Sequence, residues 1–489
     1  MSLFSQIDDP TDLDHIRAVI AASERPEALV PLDITRLEIS GQAADHVAEE
    51  LASLLTSAGK RVLGARVVVL MDSTPIFKGD VDLKASIVAQ LDRTFDFVAR
   101  VELGDQHHLY ADDVALDAAT SALAEADALV SVGSGTISDI AKVASHRVGN
   151  IPYVMVQTAA SVDGYTDNVS VVLRAGAKRT IDSRWPDVVL ADTQVISSAP
   201  RILNTSGFGE LLSLFTAPAD WWLAKQVGTD TSFHTTPRDL LLTFAGNPGE
   251  WGAGISDGNV AAVEQLTRVL AIRGIGTGIA GSTACLSGME HLISHMLDMY
   301  AAAHHHEIGL HGTQVGVASV VGATAWEYLI EQIRNGRPVS TEAANTANED
   351  ARLHEVVTEV FSVCDPTGAL GAECWSDYFA KRTAWRAASG NVAALVANAD
   401  ALTSALGAML PNARNLAEGL ARAGAAVSYR ELDAWVTDDV WRWAVRNCLF
   451  MRNRVTIVDL LSELGWWTDA DVDAVLERVE SLTREVAHV

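Results

Sequence analysis

Short apolar runs alternate with helix-patterned stretches through the first half of this 489-residue chain. Arg66–Met71 (RVVVLM) and Ala128–Val132 are apolar and rich in β-branched residues, and Phe97–Leu103 and Tyr153–Gln157 also read as strands. Runs that do not alternate with polar residues suit parallel strands buried on both faces. Between them, Ala43–Leu55 carries apolar residues at helical spacing (Ala44, Val47, Leu51, Leu55), as do Asp82–Leu91 and Asp112–Ala126. Gly133-Ser134-Gly135-Thr136 then opens a helix through Ser145. The β-α-β-α order predicts a doubly wound parallel sheet with right-handed crossovers. Asn168–Leu173 and Lys178–Thr180 suggest a short antiparallel excursion, and Asp187–Leu190 one more strand. Ser197–Arg201 has the chemistry of a boundary. From Leu203 onward, Ala, Leu, Glu and Trp at three- and four-residue spacing predict helices near Gly209–Gln226, Asn259–Ile272, Ser287–Ala302 and Gln314–Ile333, with a loop at Phe244–Asp257. The expected plan is a doubly wound α/β domain over 1–200 and a large all-helical domain over 201–489.

A net charge of −27 argues against nucleic acid or an anionic membrane as partner. No apolar run reaches the length of a membrane span. The acidic N-terminus lacks the apolar core of a secretory signal. Cys285, Cys364, Cys374 and Cys448 form no CxxC pair, so free thiols in the cytoplasm are expected.

Several segments carry candidate chemistry. Glycines in a strand-to-helix turn let backbone N–H groups approach a phosphate, so Gly133, Ser134, Gly135 and Thr136 form a candidate pyrophosphate loop. An ordinary tight turn uses the same residues. Asp72, ending the strand Arg66–Met71, could accept hydrogen bonds from an adenosine ribose, favouring NAD over NADP, or could be a plain turn residue. Thr158-Ala159-Ala160-Ser161-Val162-Asp163-Gly164-Tyr165 follows Tyr153–Gln157 at the carboxyl edge of the sheet, where open α/β folds bind ligands. Thr158 and Ser161 are cofactor-side candidates there and Asp163 a substrate-side one, with a plain loop as the alternative.

Gly281–Gln314 holds six of the fourteen histidines. His291 and His295, at i and i+4, share one helix face, and His311 follows twenty positions after His291. His291 and His311 could close on one divalent ion from neighbouring helices, with Glu210 as the carboxylate ligand of an open two-His, one-carboxylate site. On spacing alone, one face of an amphipathic helix is the favoured account of HxxxH, with His304-His305-His306 a solvated loop, and Glu210 also reads as a charge at a helix N-terminus. Arg452 and Arg454 could face an anion or pair with surface acids.

The ordered motifs GSGTISDIAK (Gly133–Lys142), TAASVDGYTDN (Thr158–Asn168), VVLAD (Val188–Asp192), GFGE (Gly207–Glu210), SGMEHLISH (Ser287–His295), LHGTQVGV (Leu310–Val317) and RNRVTIVDL (Arg452–Leu460) resemble the glycerol-1-phosphate dehydrogenases. These sit within the wider group of iron-containing alcohol dehydrogenases and dehydroquinate synthase-like enzymes. The resemblance implies a metal on Glu210, His291 and His311: zinc first, with Fe2+ or Ni2+ as alternatives. It places Asp139 in the nucleotide motif and Asp163 beside the substrate. It implies a metal-dependent, NAD- or NADP-linked oxidoreductase, NAD favoured, that reduces dihydroxyacetone phosphate to sn-glycerol 1-phosphate or acts on a similar polyol or ketose. In that reading His295 orients a ligand or relays the proton, and Lys178, Arg452 and Arg454 contact the phosphate. Relatives often assemble through these domains, so a homo-oligomer stays open. Three positions depart from the pattern. Glu210 stands where the family usually has Asp, Ser213 where a lysine often follows, and the segment Ser282-Thr283-Ala284-Cys285-Leu286 where close relatives tend to carry Ser-Arg-Pro before the Ser-Gly-x-Glu-His motif. Two alternatives stay open: a dehydroquinate synthase-like lyase, which shares the architecture and uses NAD transiently, and a catalytically silent relative, suggested by the departures.

Overall fold

The computed structural model describes residues 7, 9–104, 109–174, 177–245, 247–338, 347–407 and 409–486. The chain forms two compact units, Met1–Phe208 with Thr235–Gly281, and Gly209–His234 with Ser282–Val489. Sequence reading placed one cut after residue 200. In the structure Thr235–Gly281 packs with the first unit.

The first unit is built on a six-stranded sheet: β1 (Arg36–Ser40), β2 (Arg66–Asp72), β3 (Phe97–Leu103), β4 (Ala128–Gly133), β5 (Tyr153–Gln157) and β6 (Val188–Asp192). All pairings are parallel and the spatial order is β1-β6-β5-β4-β2-β3. Successive residues of the central strands feed two separate cores. Val67, Val69, Met71, Val130, Val132, Val154 and Val156 pack with the helix Val47–Ser57 on one face. Val68, Leu70, Leu129, Tyr153 and Met155 pack with Ile137, Ile140 and Ala144 on the other. Burial on both faces is why these strands read as continuous apolar runs. The doubly wound α/β fold expected from the sequence is the fold observed. Strand β1 was not foreseen. It lies at the sheet edge, and Arg36 and Glu38 hide its apolar period. The antiparallel excursion is a hairpin of Val169–Arg174 with Ala177–Asp182.

Before residue 281, the helices that bear on the candidate sites are α1 (Gly135–Arg147), α2 (Arg201–Leu211), α3 (Ala217–Val227) and α4 (Val260–Ala280). The single helix expected over Gly209–Gln226 is instead the end of α2, a 3-10 turn at Leu212–Phe215, and α3. Pro218, in the first turn of α3, dictates a new start, since proline lacks an N–H and is tolerated only there. Glu210 consequently lies in the last turn of α2, not at a helix N-terminus. The expected loop Phe244–Asp257 contains helical turns at Pro248–Trp251 and Gly252–Gly254.

The second unit is helical, as expected. Its centre is α5 (Met289–Ala303) against α6 (His311–Arg334), both buried along most of their length. Trp221, Trp326, Trp441 and Trp466 are buried in it, the packing role expected of them. Among the described residues no helix is long and apolar enough to cross a membrane.

Candidate metal centre and nucleotide loop

In the second unit, α2, α5 and α6 each deliver one residue to a common point. One donor atom each from Glu210, His291 and His311 lies within 4.8 Å of the others. Glu210 is 3% exposed and His291 8%. His291 Nε2 is 3.3 Å from Glu210 Oε1, and His311 Nε2 is 3.9 Å from Glu210 Oε2. Glycines make the convergence possible. A Cβ on Gly209 would overlap the carbonyl oxygen of Gly312, and a Cβ on Gly316 would lie 2.7 Å from the Gly209 Cα. The end of α2 thus runs against the backbone of α6, setting Glu210 beside His311.

The remaining imidazole nitrogens are held by other groups. His291 Nδ1 donates to Glu290 Oε1 at 2.9 Å. Glu290 also accepts from Gly288 N at 2.6 Å and from Thr216 Oγ1 at 2.9 Å. His311 Nδ1 lies 2.9 Å from Ser294 Oγ, whose hydroxyl donates to Gln314 Oε1 at 2.7 Å. Burial works against a charged His291, yet hydrogen bonds and proximity to Glu210 and Glu290 raise it to about 9.

The donors fit a divalent ion on chemical grounds. Two imidazole Nε2 atoms and a carboxylate oxygen face one another, and the far nitrogen of each histidine has an outer partner, the usual build of a two-His, one-carboxylate site. His295 and Asp298 extend the cluster along α5, with His295 Nδ1 3.8 Å from Asp298 Oδ2 and its ring stacked on His311 at 5.4 Å between centroids. The His304, His305 and His306 run is exposed, and His306 stacks on Trp435.

Sequence reading missed Glu290, Ser294, Asp298, Gln314 and Gly209 as parts of this cluster. A signal existed for one of them. Asp298 continues the helix face of His291 and His295 at i+7, the period that also defines the face of α5.

Asp220 is buried beneath α5. It accepts from Met289 N at 2.9 Å and Ile457 N at 2.8 Å, satisfying the first N–H of two helices at once. Arg454 donates to the Ser287 carbonyl at 2.5 Å and to Thr283 Oγ1 at 2.7 Å. Its guanidinium thus ties down the segment that precedes α5. Arg452 is half-buried.

In the first unit, Gly133 closes β4 and Ser134 is the N-cap of α1 without a side-chain capping bond. A Cβ on Gly135 would come within 2.8 Å of Val162, so glycine brings this turn against the 158–165 loop. Thr158 and Ser161 are buried, and Thr158 N donates to the Gly133 carbonyl at 3.2 Å. Asp163 Oδ2 accepts from Arg273 Nε of α4 at 3.2 Å. Lys142, fully buried, donates to the Gly164 carbonyl and Asp167 Oδ1, each at 2.6 Å, and lies 3.3 Å from Asp139 Oδ1. Asp139 is thus part of the charge network that fixes the loop. Asp72 accepts from Lys84 Nζ at 2.6 Å and Thr74 N at 3.2 Å, forming a turn at the end of β2. Lys178 stands in the second strand of the hairpin, and its side chain lies outside the described residues.

Residues 42–200 match the family described as iron-containing alcohol dehydrogenase, and the chain is related to that family. Within it, curated relatives carry the name glycerol-1-phosphate dehydrogenase, NAD(P)+, bearing out the resemblance read from the motifs. The Pyrococcus furiosus protein is 36% identical over 238 residues, 48% of this chain and 66% of its own length. The Geobacillus thermodenitrificans protein is 31% identical over 201 residues, 40% of this chain and 48% of its own length. The matched region therefore spans about half to two thirds of these relatives. Glycerol dehydrogenase from Schizosaccharomyces pombe shares the fold, with a TM-score of 0.53 and 16% identity over 94% of this chain and 92% of that one.

Proposed function

We propose that this chain is a metal-dependent, NAD(P)-linked oxidoreductase. Its first substrate to test is dihydroxyacetone phosphate, reduced to sn-glycerol 1-phosphate, with a similar small polyol or hydroxyketone next. The observation that carries the reading is the approach of Glu210, His291 and His311 within 4.8 Å. The names of the relatives, glycerol-1-phosphate dehydrogenase, support the substrate and the nucleotide.

In this reading Glu210, His291 and His311 hold one divalent ion, zinc first. When bound, the ion supplies Lewis acidity to a substrate oxygen, and the nicotinamide supplies or accepts a hydride. Glu290 and Ser294 keep the two rings aimed. His295 holds or passes the proton of the substrate hydroxyl, with the Asp298 carboxylate 3.8 Å behind it. Gly133, Ser134, Gly135 and Thr136 present backbone N–H groups to the pyrophosphate at the start of α1. Asp72 receives the ribose, and Asp163, held by Arg273, receives a substrate hydroxyl. Lys178 and Arg452 are the phosphate candidates. Arg454, bonded to Ser287 and Thr283, serves through the loop it fixes.

The test is metal analysis of the purified protein, followed by NADH absorbance with dihydroxyacetone phosphate and a panel of ketoses. About one zinc-class ion per chain and NADH consumed with one of these substrates is the expected result. Protein that takes up no divalent ion, or binds one and oxidises no NADH with any member of the panel, overturns the proposal.

A further inference from the structure

We infer that Gln314 is a positioning residue that selects, through Ser294, the one tautomer of His311 able to hold a divalent cation. The inference rests on the metal-binding reading of the Glu210, His291 and His311 cluster.

A serine hydroxyl carries a single proton. In Ser294 that proton goes to Gln314 Oε1 at 2.7 Å, and a carbonyl oxygen can only accept. Toward His311, Ser294 Oγ therefore offers a lone pair. The 2.9 Å contact with His311 Nδ1 then requires that Nδ1 carry the ring proton. A neutral imidazole has one N–H and one lone pair, so the lone pair sits on Nε2. That atom lies on the Glu210 side of the ring, 3.9 Å from Glu210 Oε2 and beyond hydrogen-bond reach.

Turning the Gln314 amide over reverses each step. Its Nε2 would donate to Ser294 Oγ, the hydroxyl proton would pass to His311 Nδ1, and the ring proton would move to Nε2, where it blocks the ion. The relay is buried, with Gln314 1% exposed and Ser294 0% exposed, so water does not compete for these bonds. Gln314 lies one turn after His311 on α6 and Ser294 one residue before His295 on α5. The two helices that carry the histidines thereby also carry the selector.

Two substitutions of similar size separate tautomer selection from packing. Gln314→Glu keeps an obligate acceptor on Ser294, whereas Gln314→Leu removes it and frees the hydroxyl to donate to His311. The readout is zinc affinity, measured by competition with a chromophoric chelator on protein whose melting is checked first. Gln314→Leu is expected to weaken zinc by roughly 10–100-fold, the usual effect of losing an outer partner, with Gln314→Glu near wild type. A packing role predicts the reverse order, because Glu buries an extra charge. Ser294→Ala should match Gln314→Leu and Ser294→Thr should restore binding, which keeps the comparison available if Gln314→Leu fails to fold. Gln314→Glu weaker than Gln314→Leu, or Ser294→Ala binding as wild type, overturns the relay alone. Wild-type protein that binds no zinc overturns the metal reading beneath it.

Discussion

Glu210 and Asp471 are both buried carboxylates, and their partners give them opposite duties. Glu210 faces two imidazole nitrogens, His291 Nε2 at 3.3 Å and His311 Nε2 at 3.9 Å, and in the proposed reading it is a ligand of the ion. Glu210→Ala is expected to weaken zinc by more than the roughly 10–100-fold typical of an outer partner, and Glu210→Asp to retain it, both measured by chelator competition. Alanine that leaves zinc affinity unchanged would remove Glu210 from the ligand set. Asp471 accepts from Arg337 Nη1 at 2.6 Å and from Tyr328 Oη, Thr468 N and Thr468 Oγ1. Burial alone would raise it, but these bonds outweigh burial and hold it well below the usual carboxylate range. A depressed native value means its stabilisation is complete above the unfolded value, about pH 4, and is lost as pH falls through the native one. Below about pH 4, Asp471→Asn should therefore lose less additional stability than wild type, as followed by urea unfolding across pH. Parallel acid limbs for the two proteins would refute this.

Helices α2 and α6 meet through glycine, and that crossing builds the metal cluster. A methyl group on Gly209 has the Gly312 carbonyl in its path, and a backbone atom cannot swing aside as a side chain can. Gly209→Ala is expected to cost about 1–3 kcal/mol in denaturant unfolding, as overpacking does, and to weaken zinc in the same protein. Full stability with unchanged zinc binding would show that the crossing has slack. The same reasoning explains which elements were readable beforehand. Strands β2, β4 and β5 announce themselves because both faces are buried, whereas β1 is half-exposed and carries Arg36 and Glu38. The break between α2 and α3 hinged on Pro218, and the span of α2 obscured it because Gly207 and Gly209 are weak helix formers.

The two compact units divide the candidate chemistry. The metal cluster belongs wholly to Gly209–His234 with Ser282–Val489, and the glycine turn with Asp72 and Asp163 to the other unit. Zinc at a hundredfold excess over its Kd should stabilise what it binds by about 2.7 kcal/mol. Hydrogen exchange should then show zinc-dependent protection concentrated in α5, α6 and the end of α2, and NADH-dependent protection around Gly133–Gly164. Zinc protection spread evenly over the sheet would contradict that division.

The amino-acid pattern was enough for the α/β class, the helical second half, the family and the identity of Glu210, His291 and His311 as candidates. All of these depend on local period or on motifs a few residues long. Folding alone supplied their convergence, the glycine crossing beneath it, and the Glu290 and Ser294–Gln314 partners that orient the rings. Those contacts join segments distant in the chain, and their distances are set by how helices pack, a quantity no local period encodes.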